Sequence, residues 1–216
     1  MIMKIAGKLV SAFVLASGLA GCGETVFMPQ DGDLLFCAVD TSAMSMAIGA
    51  ATGKESMAVA YDHVAIFGVV DGVPSVIEAS SRKGVAITPW DTFLSEASEI
   101  NGKPAITVMR IKDGLCPEKV IARAMSFLGQ PYDWYYLPSN GRMYCSELVY
   151  ESYLDEAGRH IFQASPMNFR DRDGNMPQFW TDLFSGLGIP VPEGIPGTNP
   201  NDMSLSPLLE EVCRLF

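Results

Sequence analysis

The sequence predicts one α+β domain in which an antiparallel β-sheet packs against helices. Three observations predict it. Two β-branched and aliphatic runs, residues 63–70 and 73–79, flank Asp71-Gly72. An Asp-Gly pair between apolar runs signals a tight hairpin, because both turn positions need positive φ. Downstream, Leu148, Val149, Tyr153, Leu154 and Ala157 recur at three-and-four spacing, the stripe of a helix packed on one face. Finally, 216 residues that are 48% hydrophobic and 19% charged suit a single packed core rather than a disordered chain.

The elements follow in chain order. Residues 1–21 carry Lys4 and Lys8 ahead of an apolar stretch, 9–20, too short to span a bilayer comfortably. This is the pattern of a secretory leader. Leu19-Ala20-Gly21-Cys22 resembles the bacterial lipobox, which implies that Cys22 is lipidated and begins the mature protein. Several acyl chains anchor firmly where one does not. Gly23, rather than an acidic residue, after that cysteine implies outer-membrane sorting in a Gram-negative cell. Residues 22–30 are then a tether and 31–216 the folded domain.

Asp31-Gly32-Asp33 is a turn entering a strand over 34–39, and the Ala/Met-rich segment 41–51 is expected as a helix. The hairpin comes next. Thr88-Pro89-Trp90-Asp91 is expected to start a helix running to about Ala97, with a strand over 105–111. Cys116-Pro117-Glu118 opens a helix, with proline in its first turn, that runs to Gly129. Residues 132–141 form an aromatic loop, and a helix begins near Cys145 and stops at Gly158. The Gly/Pro-rich segment 186–200 is expected as loop, and 205–216 as a closing helix.

Charge narrows the function classes. Without Lys4 and Lys8 the mature chain has 13 basic against 25 acidic residues, a net charge of −12. An acidic surface with no Lys/Arg cluster disfavours nucleic-acid binding. Beyond Cys22, the cysteines are Cys37, Cys116, Cys145 and Cys213, which allow one or two disulfides. Cys116 with Cys213 is one pairing to consider, and Cys37 is expected in the core. With no CxxC and only His63 and His160, the latter expected to face solvent, a structural zinc site is poorly supported. No cofactor is expected.

Cys145 carries the chemistry. A thiol at a helix N-terminus meets the positive end of the dipole and unpaired backbone N–H groups, which favour thiolate and can hold an oxyanion. A buried helix cap or a disulfide half would use the same position. A nucleophilic thiol also needs a base, and His63 opens the first hairpin strand. If Asp71-Gly72 is a two-residue loop, Val70 faces Val73 and Ala65 faces Glu78. Glu78 then shares a sheet face with His63, diagonal to it, and can orient the imidazole. A one-residue slip would send Glu78 to the other face. Asp133 and Tyr144 are alternatives for that third position. Tyr132, Trp134 and Tyr144 are candidate walls of a substrate cleft.

Gly32-Asp33-Leu34-Leu35-Phe36, Asp62-His63-Val64-Ala65-Ile66-Phe67, Val76-Ile77-Glu78-Ala79-Ser80 and Tyr144-Cys145-Ser146-Glu147-Leu148-Val149-Tyr150 occur in that order. Together with Gly129-Gln130-Pro131-Tyr132-Asp133 they resemble the circularly permuted branch of the NlpC-type papain-like cysteine hydrolases, the YiiX/YebB-like group. There the histidine strand precedes the cysteine helix. Asp62 departs from the small residue more usual before the histidine. The resemblance implies a permuted papain-like fold with Cys145 as nucleophile, His63 as base and Glu78 as orienting residue. It also implies that the Cys145 N–H contributes to the oxyanion hole. The expected function is hydrolysis of an amide, in a cell-wall peptide or a related N-acyl or γ-glutamyl linkage, at the bacterial envelope. Lipid acyl hydrolysis or transfer by the same Cys-His pair, and a non-catalytic binding lipoprotein, are the alternatives.

Overall fold

The computed structural model describes residues 27–216; the expected leader, Cys22 and most of the tether lie outside the described residues. The Asp-Gly hairpin closes as its residue types demand, with φ of 50° at Asp71 and 79° at Gly72 and with Val70 paired to Val73. In chain order the elements are β1 (Leu34–Ala38), α1 (Ala43–Thr52), β2 (Tyr61–Val70), β3 (Val73–Ser80), β4 (Gly84–Pro89) and α2 (Trp90–Glu96). There follow β5 (Glu99–Ile100), β6 (Lys103–Pro104), β7 (Ile106–Ile111), α3 (Pro117–Ser126) and α4 (Cys145–Ser152). The chain closes with β8 (Ser165–Pro166), α5 (Gln178–Leu187), β9 (Pro196–Gly197), α6 (Pro200–Ser204) and β10 (Leu209–Arg214).

Six strands form one antiparallel sheet in the order β10-β7-β1-β2-β3-β4. Strand alternation gives it two apolar faces. Leu34, Phe36, Val64, Ile66 and Ile77 pack with Val120 and Ala124 of α3 and with Leu148 and Val149 of α4. Leu35, Ala65, Phe67, Val76, Ile106 and Val108 pack on the other side with Trp90 and Phe93 of α2. A third cluster, Tyr132, Tyr136, Tyr144, Phe169, Trp180 and Phe184, joins the aromatic loop to α5. The fold is α+β, a large antiparallel sheet against helices.

Several expectations are corrected. Residues 205–216 do not close the chain as a helix. Leu209–Arg214 is a strand, because pairing with the otherwise open edge of β7 outweighs local preference. Thr88 lies in β4, and the helix after it begins only at Trp90. The helix from Pro117 stops at Ser126, short of Gly129. The helix headed by Cys145 ends at Ser152, not at Gly158. Asp155 accepts the backbone N–H groups of Ala157 and Arg159, and this local turn replaces further helix. Tyr153 still points into the core, its hydroxyl donating to the Gly32 carbonyl at 3.0 Å. Within 186–200 the end of α5 and the start of α6 interrupt the expected loop. Cys116 and Cys213 are both free thiols, as are Cys37 and Cys145, so the described cysteines form no disulfide. His160 is exposed, stacked on Tyr150 with ring centroids 3.8 Å apart.

Candidate active site

The site starts where α4 starts. Tyr144 is extended (φ −96°, ψ 168°), so Cys145 is the first helical residue, and the Glu147 carboxylate accepts the Tyr144 N–H at 3.4 Å. The first backbone N–H groups of a helix have no partner within it, so they are available beside the thiol.

The sheet brings the other groups by register. Cys37 is opposite His63 in β1–β2, the β2–β3 pairing ends at Ile66 opposite Ile77, one residue short of Glu78, and Glu78 and Thr88 are set by the β3–β4 register. Strand alternation therefore puts Cys37, His63, Glu78 and Thr88 on one face. Between His63 and Tyr61 the register with β1 shifts, leaving Asp62 as the extra residue of a bulge. Bulges re-aim side chains, and this one lies at the strand end nearest α4. The Cys145 Sγ is 4.0 Å from the Asp62 carbonyl oxygen.

His63 Nε2 lies 3.0 Å from Glu78 Oε2, and Thr88 Oγ1 donates to Glu78 Oε1 at 2.7 Å. Each carboxylate oxygen is thus committed, which fixes the rotation of the group. The ring's remaining nitrogen, Nδ1, is free of Glu78, and His63 and Cys145 both line the same cleft. Burial alone would lower the His63 pKa. Interaction with the Cys145 sulfur and with the Glu78 carboxylate outweighs that and raises it well above 6.5. Burial likewise would raise Glu78, but the hydrogen bond and charge of His63 hold its carboxyl below 4.5. Cys37 differs from its neighbour. Burial, then the charges of Asp62, Glu78 and Cys145, push its thiol well above 9.0, so it stays protonated.

Of the alternatives for the third position, Asp133 is fully buried but faces its own loop. It accepts the N–H groups of Tyr135 and Leu137 and the Asn140 side-chain amide, each at 2.9 Å. The Tyr144 hydroxyl accepts the Thr198 N–H at 3.1 Å. Neither meets His63. Cys37, expected in the core, is half-buried and lines the cleft.

Two cavities meet at Cys145. A cleft of about 500 Å³ runs along His63, Glu78 and Trp134, with Asp40, Arg82, Lys83 and Glu96 also lining it. A narrow slot of about 50 Å³ lies beside Tyr136, Tyr144, Phe169 and Trp180. Tyr132 and Asp62 line both cavities. The three aromatic residues singled out in the sequence therefore all border the thiol's surroundings. Sequence reasoning missed Thr88, assigned there to a helix start. The alternation Val85, Ile87 with Pro89 closing the run was the available strand signal.

Comparison with known proteins gives three findings. The model of a family described as permuted papain-like amidase enzyme, YaeF/YiiX, C92 family, matches residues 28–213. The uncharacterized protein YiiX of Escherichia coli (strain K12) is 27% identical over 206 residues, covering 93% of this chain and 94% of its own. A crystal structure described as the metalloprotein YiiX of Escherichia coli O157:H7 superimposes with a TM-score of 0.68. It is 25% identical and covers 87% of this chain and 98% of its own. In this chain, no three His, Cys, Asp or Glu side chains among the described residues gather as a metal ion would require.

Proposed function

Because this chain belongs to the permuted papain-like amidase family, we propose that it is an amide hydrolase with Cys145 as nucleophile, His63 as acid and base, and Glu78 as the group that orients His63. The observation that carries the reading is the chain of hydrogen bonds from His63 to Glu78 and Thr88, in a cleft that His63 shares with Cys145 at the head of α4. His63 Nδ1 takes the thiol proton, and the sulfur attacks the carbonyl carbon. The Cys145 backbone N–H stabilises the tetrahedral oxyanion. Collapse breaks the C–N bond as the imidazolium gives its proton to the departing amine, leaving an acyl thioester. His63 then deprotonates a water that attacks the thioester, and the thiol is restored.

The leader-like segment and the lipobox-like Cys22 support export and lipid anchoring at the envelope. Cell-wall peptides, or a related N-acyl or γ-glutamyl amide, are then the substrates within reach. The test is to incubate the wild type and Cys145→Ala in parallel with peptidoglycan fragments and with phospholipid. The wild type is expected to release peptide or amine from the fragments and Cys145→Ala to release none. Equal turnover by both proteins contradicts the role of Cys145, and turnover of phospholipid alone assigns lipid chemistry instead.

A further inference from the structure

Among the described residues, four buried side-chain polar atoms have no hydrogen-bond partner: Gln130 Oε1, Ser146 Oγ, Trp180 Nε1 and Thr198 Oγ1. Three of them, those of Ser146, Trp180 and Thr198, belong to residues lining the slot beside Cys145. Their exposures are 1%, 2% and 9%. Buried polar groups are almost always paired, because an unmade hydrogen bond costs the full desolvation of the group. Three residues with such groups border one small space otherwise walled by aromatic rings, and a ligand seated there is what would pair them.

The chemistry of that ligand follows from the groups. An indole N–H can only donate, and both hydroxyls can donate as well. The partner must therefore present an acceptor. The slot's volume of about 50 Å³ suits a group of a few heavy atoms.

Its place in the reaction follows from His63. The imidazolium must protonate the departing amine, so the amine lies on the His63 side of the thiol. His63 lines the large cleft and not the slot. The leaving group then occupies the cleft, and the group that stays on sulfur points the other way. Resting on the hydrolase reading above, we propose that the slot bordered by Ser146, Trp180 and Thr198 is the acyl subsite. It selects a short acyl group carrying a hydrogen-bond acceptor near the scissile carbonyl.

An isosteric pair of activated esters tests this without knowledge of the natural amine. p-Nitrophenyl methoxyacetate and p-nitrophenyl butyrate differ by an ether oxygen in place of a methylene; p-nitrophenyl octanoate carries a long chain. In each case the new S–C bond forms at Cys145, the ester C–O bond breaks and p-nitrophenolate departs. Acylation is followed by mass spectrometry of the Cys145 peptide, and each rate is divided by that of a free thiol with the same ester. The wild type is expected to favour methoxyacetyl over butyryl by about fivefold or more, the scale of one good hydrogen bond, and to take octanoyl most slowly. Trp180→Phe and Ser146→Ala are each expected to bring the methoxyacetyl/butyryl ratio toward one. Being a ratio, it remains readable in whatever fraction of a variant folds. An unchanged ratio in both variants, as when a fixed water serves these atoms, overturns the subsite, as does octanoyl reacting faster than butyryl. Failure of every ester to acylate Cys145 faster than the free thiol overturns the hydrolase reading as well, so the two failures are distinguishable.

Discussion

At the scale of single residues, the site turns on how one carboxylate is held. Glu78 has one oxygen on His63 and one on Thr88, so it cannot rotate away without losing both. Its charge is one reason the imidazole stays protonated above the usual range for histidine. The proton that a leaving amine needs is therefore retained to higher pH, and kcat/KM should fall on the alkaline side only as pH rises through that raised value. Glu78→Gln keeps the shape and removes the charge. The alkaline limb is expected to move to lower pH and kcat/KM to drop by roughly 10²-fold; a profile unmoved by the substitution contradicts the orienting role. Glu147 shows the opposite perturbation. Burial, and after it the charge of Asp133, pushes its carboxyl from 4.5 to about 8. The folded state then binds a proton that the unfolded state has released between those values. Stability should decline as pH rises from about 4.5 to 8, by up to a few kcal/mol. Glu147→Gln should flatten that decline, as measured by urea unfolding at pH 5 and pH 8; an equal decline in both proteins would place the cost elsewhere.

At the scale of elements, the site is where three local structures converge: a helix that starts at Cys145, a bulge at Asp62 and a hairpin whose register aligns Glu78. The hairpin was legible because Asp71-Gly72 admits few other turns, and its register followed from counting outward. The bulge was not legible. It arises from a mismatch between β1 and β2 that neither segment signals alone. The lengths of helices were only partly legible, since the Asp155 turn ends α4 where the apolar stripe would have continued it. Helix α5 had signals in the sequence, Pro177 ahead of it and Gly188 at its end with φ 70°. β4 is fixed by contact rather than propensity. Gly84 has φ +69°, and a Cβ there would lie 2.3 Å from the Gln130 carbonyl oxygen, which itself accepts the Val85 N–H. Gly84→Ala should lower stability by about 2 kcal/mol or more through strain and displacement of that bond; a Tm within 1–2 °C of the wild type, a shift of only a few tenths of a kcal/mol, would show that the 129–131 segment yields freely. Asp33 at the head of β1 is fully buried and bidentate to Arg110 of β7. Arg110→Ala leaves that carboxylate buried with only the Gln30 N–H and no counter-charge, and an unfolding midpoint lower by the equivalent of about 3 kcal/mol is expected. A loss under ~0.5 kcal/mol, the range of an exposed pair, would mean that water reaches the site.

At the scale of the whole molecule, the chain places its thiol at the junction of a mixed-charge cleft and a smaller aromatic-lined slot. The order of histidine strand before cysteine helix was legible from the motifs, and with it the permuted papain-like fold. The slot was not, because Met167, Phe169, Trp180 and Thr198 come from a C-terminal region whose packing against the 132–144 loop no local pattern announces. The same region supplies β10, which covers the edge of β7. The lipid anchor proposed at Cys22 belongs to this scale too. The full-length protein expressed in a bacterium should partition with membranes, and Cys22→Ala should appear in the soluble fraction; identical partitioning of the two contradicts the anchor. The central claim, that His63 activates Cys145, is tested most directly by the rate at which iodoacetamide alkylates each thiol near neutral pH, read by mass spectrometry. Cys145 should react faster than Cys37, Cys116 and Cys213, and His63→Ala should remove that advantage. A Cys145 no faster than Cys116, or equally fast without His63, would contradict the account.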